Sequence, residues 1–179
     1  DIYLRRFDNS GNQVLAETRI STTPGNAAQA QAGSQSDPAI AARADGSLVI
    51  AWTDSSANDG SSNGVYLRTV SASGTLSDVQ LVNSYTTGAQ YEPAVATLTG
   101  GGFVVVWRSD NQDGSSAGVY AQRFDAAGVK VGAEFLISET TTGGQYQPAV
   151  TGTANGGFVV SWYNDNYDVS ATGTTSDVY

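Results

Sequence analysis

The sequence predicts an all-β protein of the β-propeller type, made of three copies of one four-stranded repeat. Proline and tryptophan each recur three times at a spacing of 55 residues, which indicates an internal repeat. The chain also holds 21 glycines and many serine, threonine and valine residues, a composition that favours short strands and tight turns over long helices. The recurring residues are Pro38, Pro93 and Pro148, and Trp52, Trp107 and Trp162.

Each repeat is predicted to contain four strands. Strand one holds the Pro-Ala-Val-Ala segment, and its proline is placed at the first residue, which need not donate a hydrogen bond. Strand two is the apolar run that ends at tryptophan, strand three follows Gly-Val-Tyr, and strand four runs through segments such as 134–137. Gly-rich turns join strands one and two and strands three and four. The repeat units cover about 1–64, 65–118 and 119–179 of a single module, with extra residues near 24–33 and 169–175.

The apolar character of strand two decides between two architectures. A near-continuous run such as 102–107 predicts burial on both faces of the strand. Strands packed between neighbouring blades of a propeller have this environment, so we favour the β-propeller type. The alternative is a threefold β-trefoil or β-prism, since those folds also use three four-stranded units.

Charge and composition exclude several function classes. The formal net charge is −9, with only eight scattered lysine and arginine residues, so nucleic acid is not an expected partner. Histidine and cysteine are absent, which excludes disulfides, zinc sites and catalytic triads that need histidine. No run of 18 apolar residues is present, so membrane insertion is not expected.

The loops that lead from strand four into strand one of the next unit hold the candidate ligand-binding residues. In a propeller these loops surround the central channel, where a tyrosine ring could stack on a sugar while amides and acids bind its hydroxyl groups. The alternative is that the tyrosines pack between blades and the glutamines bond the local backbone. The candidates are Gln35, Asp37, Gln90, Tyr91, Glu92, Gln145, Tyr146 and Gln147.

The loops between strands two and three hold candidate ligands for a calcium cofactor (Ca2+). Alternating carboxylates and amides with a nearby glycine can wrap a hard cation, although no complete EF-hand spacing is present. The same residues are also ordinary turn formers. The candidates are Asp54, Asp59, Asp110, Asn111, Asp113, Asp165 and Asp168.

The repeat resembles one found in large secreted bacterial proteins of the RTX type, which are calcium-associated exoproteins and adhesins. The resemblance rests on Gln90–Val95, Gly101–Trp107 and Asp113–Asp125, and the pattern covers nearly the whole chain. It implies an extracellular or cell-surface location and a parent protein with many repeats. The nonapeptide calcium repeat of RTX proteins is absent, so the resemblance implies no calcium ligand.

These observations predict a non-catalytic extracellular binding or adhesion module, with carbohydrate as the first ligand and a protein surface as another. Paired carboxylates could run glycoside hydrolysis, but the acids recur as repeat features and do not form one asymmetric pair. The alternative is a structural repeat unit that stacks or oligomerises in a larger adhesin or filament. Three units are fewer than the four to eight blades of natural propellers, so self-association into a larger propeller or array is also expected.

Overall fold

The computed structural model of the protein describes residues 1–23, 26–30, 32–165 and 177–178. The described residues form antiparallel sheets in which each strand pairs with the next strand in sequence. Two of these sheets have four strands. We name them blade 1, with β5 (Gln35–Ala42), β6 (Leu48–Asp54), β7 (Gly64–Val70) and β8 (Gln80–Leu81), and blade 2, with β9 (Gln90–Thr97), β10 (Phe103–Asp110), β11 (Ala117–Phe124) and β12 (Lys130–Leu136).

Smaller sheets flank these two blades. The half-blade contains β1 (Tyr3–Phe7) and β2 (Gln13–Arg19), which correspond to strands three and four of a repeat. A hairpin of β3 (Thr22–Thr23) and β4 (Asn26–Ala30) lies where the sequence predicted extra residues, whereas most of the second predicted insertion lies outside the described residues. Blade 3 contains β13 (Gln145–Gly152), β14 (Phe158–Asn164) and β15 (Asp177–Val178).

The hydrophobic core lies between the faces of successive sheets. Val49 and Ala51 of β6 pack against blade 2, whereas Ile50 and Trp52 of the same strand pack against the half-blade. A third cluster, which includes Val104 and Val106 of β10, joins blade 2 to blade 3. Strand two of blades 1 and 2 is therefore buried on both faces, and Trp52 and Trp107 have no exposed surface.

The first strands of successive blades lie side by side, with β9 in contact with both β5 and β13. Stacked four-stranded meanders whose first strands form the inner edge are the arrangement of a β-propeller. The predicted β-propeller type is confirmed, and the β-trefoil or β-prism alternative is not found. Among the described residues there is no helix that is long and apolar enough to cross a bilayer.

The prediction for the recurring proline is wrong in one respect. Pro38 is the fourth residue of β5, and with Asp37 it forms a β-bulge opposite the single residue Trp52. Blades 2 and 3 repeat this bulge opposite Trp107 and Trp162. Proline is tolerated inside these strands because the bulge interrupts the hydrogen-bond ladder at that point.

Candidate functional site

The candidate site lies at the end of the blades where strand one begins and strand two ends. Gln90 at the start of β9 is opposite Ser109 near the end of β10, and Gln145 is opposite Asn164 in blade 3. The loops that lead into strand one and the loops that follow strand two therefore lie at the same end. The structure therefore brings the predicted loop residues and the ends of the tryptophan strands together.

The three recurring glutamines are buried and bond the loops that precede them. In each case the side-chain Nε2 donates to the carbonyl oxygen three residues earlier, over 2.8 Å for Gln35, 3.3 Å for Gln90 and 3.5 Å for Gln145. Gln35 also donates to Asp54 Oδ2 over 2.9 Å. These contacts are the ones expected in the alternative in which the glutamines bond the local backbone.

The bulge residues Asp37, Glu92 and Gln147 have positive φ angles of 51°, 52° and 51°. A non-glycine residue adopts this left-handed conformation at a cost, and a bulge can use it to redirect a side chain. Asp37 and Gln147 are exposed, and Glu92 is partly exposed. The bulges therefore present two acids and one amide from three adjacent first strands.

Arg108 is the centre of the most elaborate cluster at this end. Its guanidinium carbon lies 4.9 Å from the centroid of the Tyr91 ring and 4.6 Å from that of the Tyr146 ring. Tyr146 in turn stacks on Tyr163, with 5.2 Å between the ring centroids. Cation–π contacts of this kind contribute about 0.5–1 kcal/mol each at exposed sites, so they fix the position of the guanidinium between blades 2 and 3.

Two carboxylates flank this guanidinium. Asp110 Oδ1 lies 3.0 Å from Arg108 Nη2 and accepts a hydrogen bond from its Nε over 3.0 Å. Glu92 Oε1 lies 3.8 Å from Arg108 Nη1, while Glu92 Oε2 accepts a hydrogen bond from the Gln147 backbone N–H over 2.9 Å. The side chains of all three charged residues are 22–31% exposed, so a ligand can reach them.

Tyr91 contacts both the aromatic and the charged part of the cluster. Its ring lies beside Arg108, and its hydroxyl donates to Asp110 Oδ2 over 3.0 Å. Burial raises the pKa of Tyr91, and the hydrogen bond to the Asp110 carboxylate raises it further, although Arg108 acts in the opposite direction. The hydroxyl is therefore a hydrogen-bond donor at neutral pH. It holds Asp110 in one orientation beside Arg108.

Gly144 makes room for the ring of Tyr146. A Cβ atom on Gly144 would lie 2.0 Å from the Tyr146 hydroxyl oxygen, so even alanine there would displace the ring. The loop that follows β14 also holds Gly144 in place, because Asp165 Oδ1 accepts a hydrogen bond from the Gly144 backbone N–H.

The sequence did not single out Arg108 or Tyr163 as site residues. The residue that follows the recurring tryptophan is Thr53 in blade 1, Arg108 in blade 2 and Tyr163 in blade 3. The residue type at this position differs in all three copies, although the flanking tryptophan is the same. That difference is the signal that could have identified the site. The cluster is asymmetric, which was the property that the sequence-based argument against catalysis considered absent.

The predicted calcium ligands are spread over separate contacts. Asp54 is buried against Gln35 and Ser56, Asp110 binds Arg108 and Tyr91, and Asp165 caps the loop at Gly144. Asp59 and Asp113 are half-buried against Gly64 and Gly118, where any Cβ would contact their carboxylates.

The remaining two predicted ligands do not extend these contacts. Asn111 forms a turn with a φ of 61°, and Asp168 lies outside the described residues. Within the part of the chain that the structure describes, no three acidic residues form a group that could hold a metal. Calcium binding stays a prediction.

Three solved structures show where this fold occurs among known proteins. The chain superposes with a TM-score of 0.60 on a Hadza microbial sialidase, at 12% identity, covering 94% of this chain and 42% of the other. An α-L-arabinofuranosidase of Fusarium graminearum gives 0.51, at 18% identity, covering 80% of this chain and 45% of the enzyme. A thermostable family-43 glycoside hydrolase gives 0.52, at 14% identity, with coverages of 98% and 65%.

At these identities the likeness shows the fold alone, which is that of propeller glycoside hydrolases. The chain spans about two fifths of the sialidase and two thirds of the family-43 enzyme. No protein-family model matches the sequence, and no curated protein matches it as a relative.

The comparisons contradict the prediction of a non-catalytic module. That prediction treated a repeated β scaffold as unsuited to an asymmetric catalytic site, whereas the structural neighbours are catalytic glycoside hydrolases on the same scaffold. The repeat constrains the residues of the core. Single substitutions at the strand ends can still give one pair of neighbouring blades a set of side chains that the other blades lack. The prediction that the chain is not an enzyme is therefore withdrawn.

Proposed function

We propose that the protein is a carbohydrate-active enzyme that hydrolyses glycosidic bonds at the candidate site, the end of blades 2 and 3 where strand one begins and strand two ends. The observation that carries the proposal is the asymmetric cluster in which Arg108 lies over the rings of Tyr91 and Tyr146 and contacts the carboxylates of Glu92 and Asp110. Glycoside hydrolysis needs two carboxyl groups beside the scissile bond, and aromatic rings are suited to the apolar faces of sugars. The fold shared with glycoside hydrolases supports the same reaction class.

The two carboxylates differ in a way that suits two roles. Asp110 is held by Arg108 and by the Tyr91 hydroxyl, so its carboxyl group has a fixed orientation and is suited to stabilise positive charge that develops at the anomeric carbon. Glu92 is more exposed and contacts Arg108 only at 3.8 Å, so one of its oxygens can reach a ligand and exchange a proton. We assign Glu92 as the acid–base group and Asp110 as the charge-stabilising group.

The glycan ligand is proposed to bind along the first strands, between Asp37 of blade 1 and Gln147 of blade 3. Both side chains are exposed at bulges on either side of Glu92, and both can hydrogen-bond sugar hydroxyl groups. We further propose that the enzyme acts outside the cell or at its surface. The resemblance of the repeat to secreted bacterial proteins supports that location.

The test is hydrolysis of a substrate panel by the purified chain. Arabinan, arabino-oligosaccharides, aryl arabinofuranosides and sialyllactose are incubated with the protein, and released sugar is measured. Replacing Glu92 by glutamine removes a proton-transfer group without changing its size, so we expect kcat to fall by about 10²–10⁴-fold. Replacing Asp110 by asparagine should lower kcat as well, because the charge beside the developing cation is lost.

The matched control is Glu17→Gln, which removes an exposed carboxylate on the half-blade. Glu17→Gln should keep wild-type activity. An Arg108→Met variant that keeps full activity would show that the cluster has no catalytic role. Absence of hydrolysis on the whole panel with folded wild-type protein would refute the reaction class.

A further inference from the structure

The guanidinium of Arg108 is the positive charge of the candidate cluster, and its donors already have partners. Its Nε donates to Asp110 Oδ1 over 3.0 Å, and its Nη2 lies 3.0 Å from the same oxygen. Nε and Nη2 form an edge with which arginine binds a carboxylate, so this edge is not open to an acidic ligand. Nη1 lies 3.8 Å from Glu92 Oε1. Binding an acidic sugar at Arg108 would therefore break an existing ion pair or place a third carboxylate beside two.

Two further carboxyl groups lie at the same end of the blades. Asp37 is exposed on the bulge of β5, the strand next to β9, and it accepts a hydrogen bond over 2.9 Å from the neighbouring serine hydroxyl. Asp165 follows β14 and accepts a hydrogen bond from the Gly144 backbone N–H. In the described part of the chain, the ion pairs of Arg108 involve Glu92 and Asp110 and leave out these two acids. One guanidinium thus stands against four carboxyl groups.

The other seven lysine and arginine residues belong to other parts of the protein. Three lie on the half-blade, and Arg68 is buried in blade 1, where it donates to a backbone carbonyl oxygen over 3.0 Å. Arg43 follows strand one of blade 1 and donates to a backbone carbonyl in a turn of blade 2, at the end opposite to the candidate site. Arg123 and Lys130 flank the turn between β11 and β12 at that opposite end. Within the described residues, Arg108 is therefore the basic side chain that offsets the acids of the site.

This imbalance of charge has a direct consequence for a bound glycan. Two like charges about 4 Å apart in a partly wet site weaken binding by about 10–100-fold. Sugar hydroxyl groups carry no such cost, and an ammonium group is attracted. The formal net charge of −9 adds to the repulsion of anions at longer range.

We infer that the site takes neutral or amino-sugar units of a glycan and rejects units that carry a carboxylate, sulfate or phosphate group. Asp37 is assigned as a specificity-determining residue, because it is exposed beside the strand that carries Glu92 and forms none of the described ion pairs. The inference rests on the proposed function for the nature of its ligand, a glycan. The charge selection itself is a property of the folded site and can be measured without turnover.

The first test measures the charge selection with three small nitroxides that carry an amino, a hydroxyl or a carboxyl substituent. Each is added to the folded protein, and the broadening of the backbone amide NMR signals is recorded. We expect the amino nitroxide to broaden Tyr91 and Gln147 more than the carboxyl nitroxide does. The ratio should be at least about threefold higher than at Ala127, an exposed turn residue at the opposite end. An equal or lower ratio at Tyr91 and Gln147 would overturn the inference.

Asp37→Asn and Glu17→Gln form a matched pair for this test, because each removes one exposed carboxylate without changing the size of the side chain. Asparagine also tolerates the positive φ of the bulge, so the fold should be kept. Asp37→Asn should lower the amino-to-carboxyl ratio at Tyr91 by about two- to threefold, whereas Glu17→Gln should leave it unchanged. Equal effects of the two variants would show that net charge alone, and not Asp37, sets the selection.

The second test compares the turnover of glycans that differ in charge. Arabino-oligosaccharides are neutral, chitosan oligosaccharides carry amino groups, and oligogalacturonate and sialyllactose carry carboxylates. At low salt, kcat/KM for the acidic substrates should be at least about tenfold below that for the best neutral or amino substrate. The gap should narrow in about 1 M salt, where charges are screened beyond about 3 Å.

The outcomes of this second test separate the inference from the proposed function. Preferred turnover of an acidic substrate would overturn the inference and leave the reaction class intact. Absence of turnover on every substrate would count against the reaction class, and the nitroxide ratios would then decide the charge selection by themselves.

Discussion

Replacing Gln90 by leucine should destabilise the protein, because Gln90 is a buried structural residue in blade 2. Its Nε2 donates to Thr87 O over 3.3 Å and to Ser109 Oγ over 3.5 Å, while its Oε1 accepts from Asn83 Nδ2 over 3.2 Å. Leucine has a similar volume but no polar atoms. The substitution therefore isolates the hydrogen bonds and leaves the packing of the side chain nearly unchanged.

The magnitude follows from the groups that lose their partner. Asn83 and Ser109 are buried, and leaving a buried polar group unsatisfied costs about 1–3 kcal/mol. Asn83 keeps a second bond to Tyr85 O, and Thr87 lies near the surface, so neither group loses the full amount. Together with Ser109, the lost hydrogen bonds lower the free energy of unfolding by about 3–4 kcal/mol. The greater hydrophobicity of leucine offsets about 1–2 kcal/mol of this. The net loss in the free energy of unfolding is about 2 kcal/mol.

The assay is thermal and urea denaturation followed by circular dichroism. For a chain of this length, about 2 kcal/mol corresponds to a fall in Tm of about 4–8 °C. Gln147→Leu is the control, since Gln147 lies on an exposed bulge and should change stability by less than about 0.5 kcal/mol. A Gln90→Leu protein with wild-type Tm would refute this reasoning. If that folded protein also failed to act on glycans, the result would restore a ligand-binding role for Gln90.

Two further predictions concern the core and the loops. Phe103 stacks on Phe124 with 4.7 Å between ring centroids, and the guanidinium carbon of Arg43 lies 4.9 Å from the Phe103 centroid. Phe103→Leu removes both contacts, so it should lower the free energy of unfolding, measured by urea denaturation, by about 1–2 kcal/mol. Phe135→Leu on the exposed side of β12 should cost less than half as much, and equal losses would contradict the role given to the stack. Calcium bound in the loops between strands two and three should raise Tm at millimolar calcium and release the gain on chelation, whereas an unchanged midpoint rejects a stabilising site.

The repeat made the strands and their order predictable. The spacing of Pro93 and Trp107, repeated in the other copies, placed strands one and two, and Gly118 with Tyr120 placed the third. The apolar run before Trp107 indicated burial on both faces, and β10 is almost wholly buried. These predictions succeeded because strand periodicity and turn residues are local properties of the chain.

The candidate site was only partly predictable. Tyr91, Glu92 and Tyr146 were selected from the sequence and do lie together, but Gln90 and Gln145 were selected with them and are buried in the loop structure. Adjacent residues in a strand face opposite ways, and a bulge changes which residue faces which side. The bulge at Glu92 has no signature that distinguishes it from an ordinary strand start with proline.

The amino-acid sequence by itself determined the repeat, the four strands of blades 1 and 2 and the exclusion of chemistry that needs histidine or cysteine. Only the tertiary structure decided that Arg108 of blade 2 lies between Tyr91 of its own blade and Tyr146 of the next, with two carboxylates beside it. The physical reason is that this cluster is made by the packing of two blades, and residues about 40 positions apart meet only when the sheets stack.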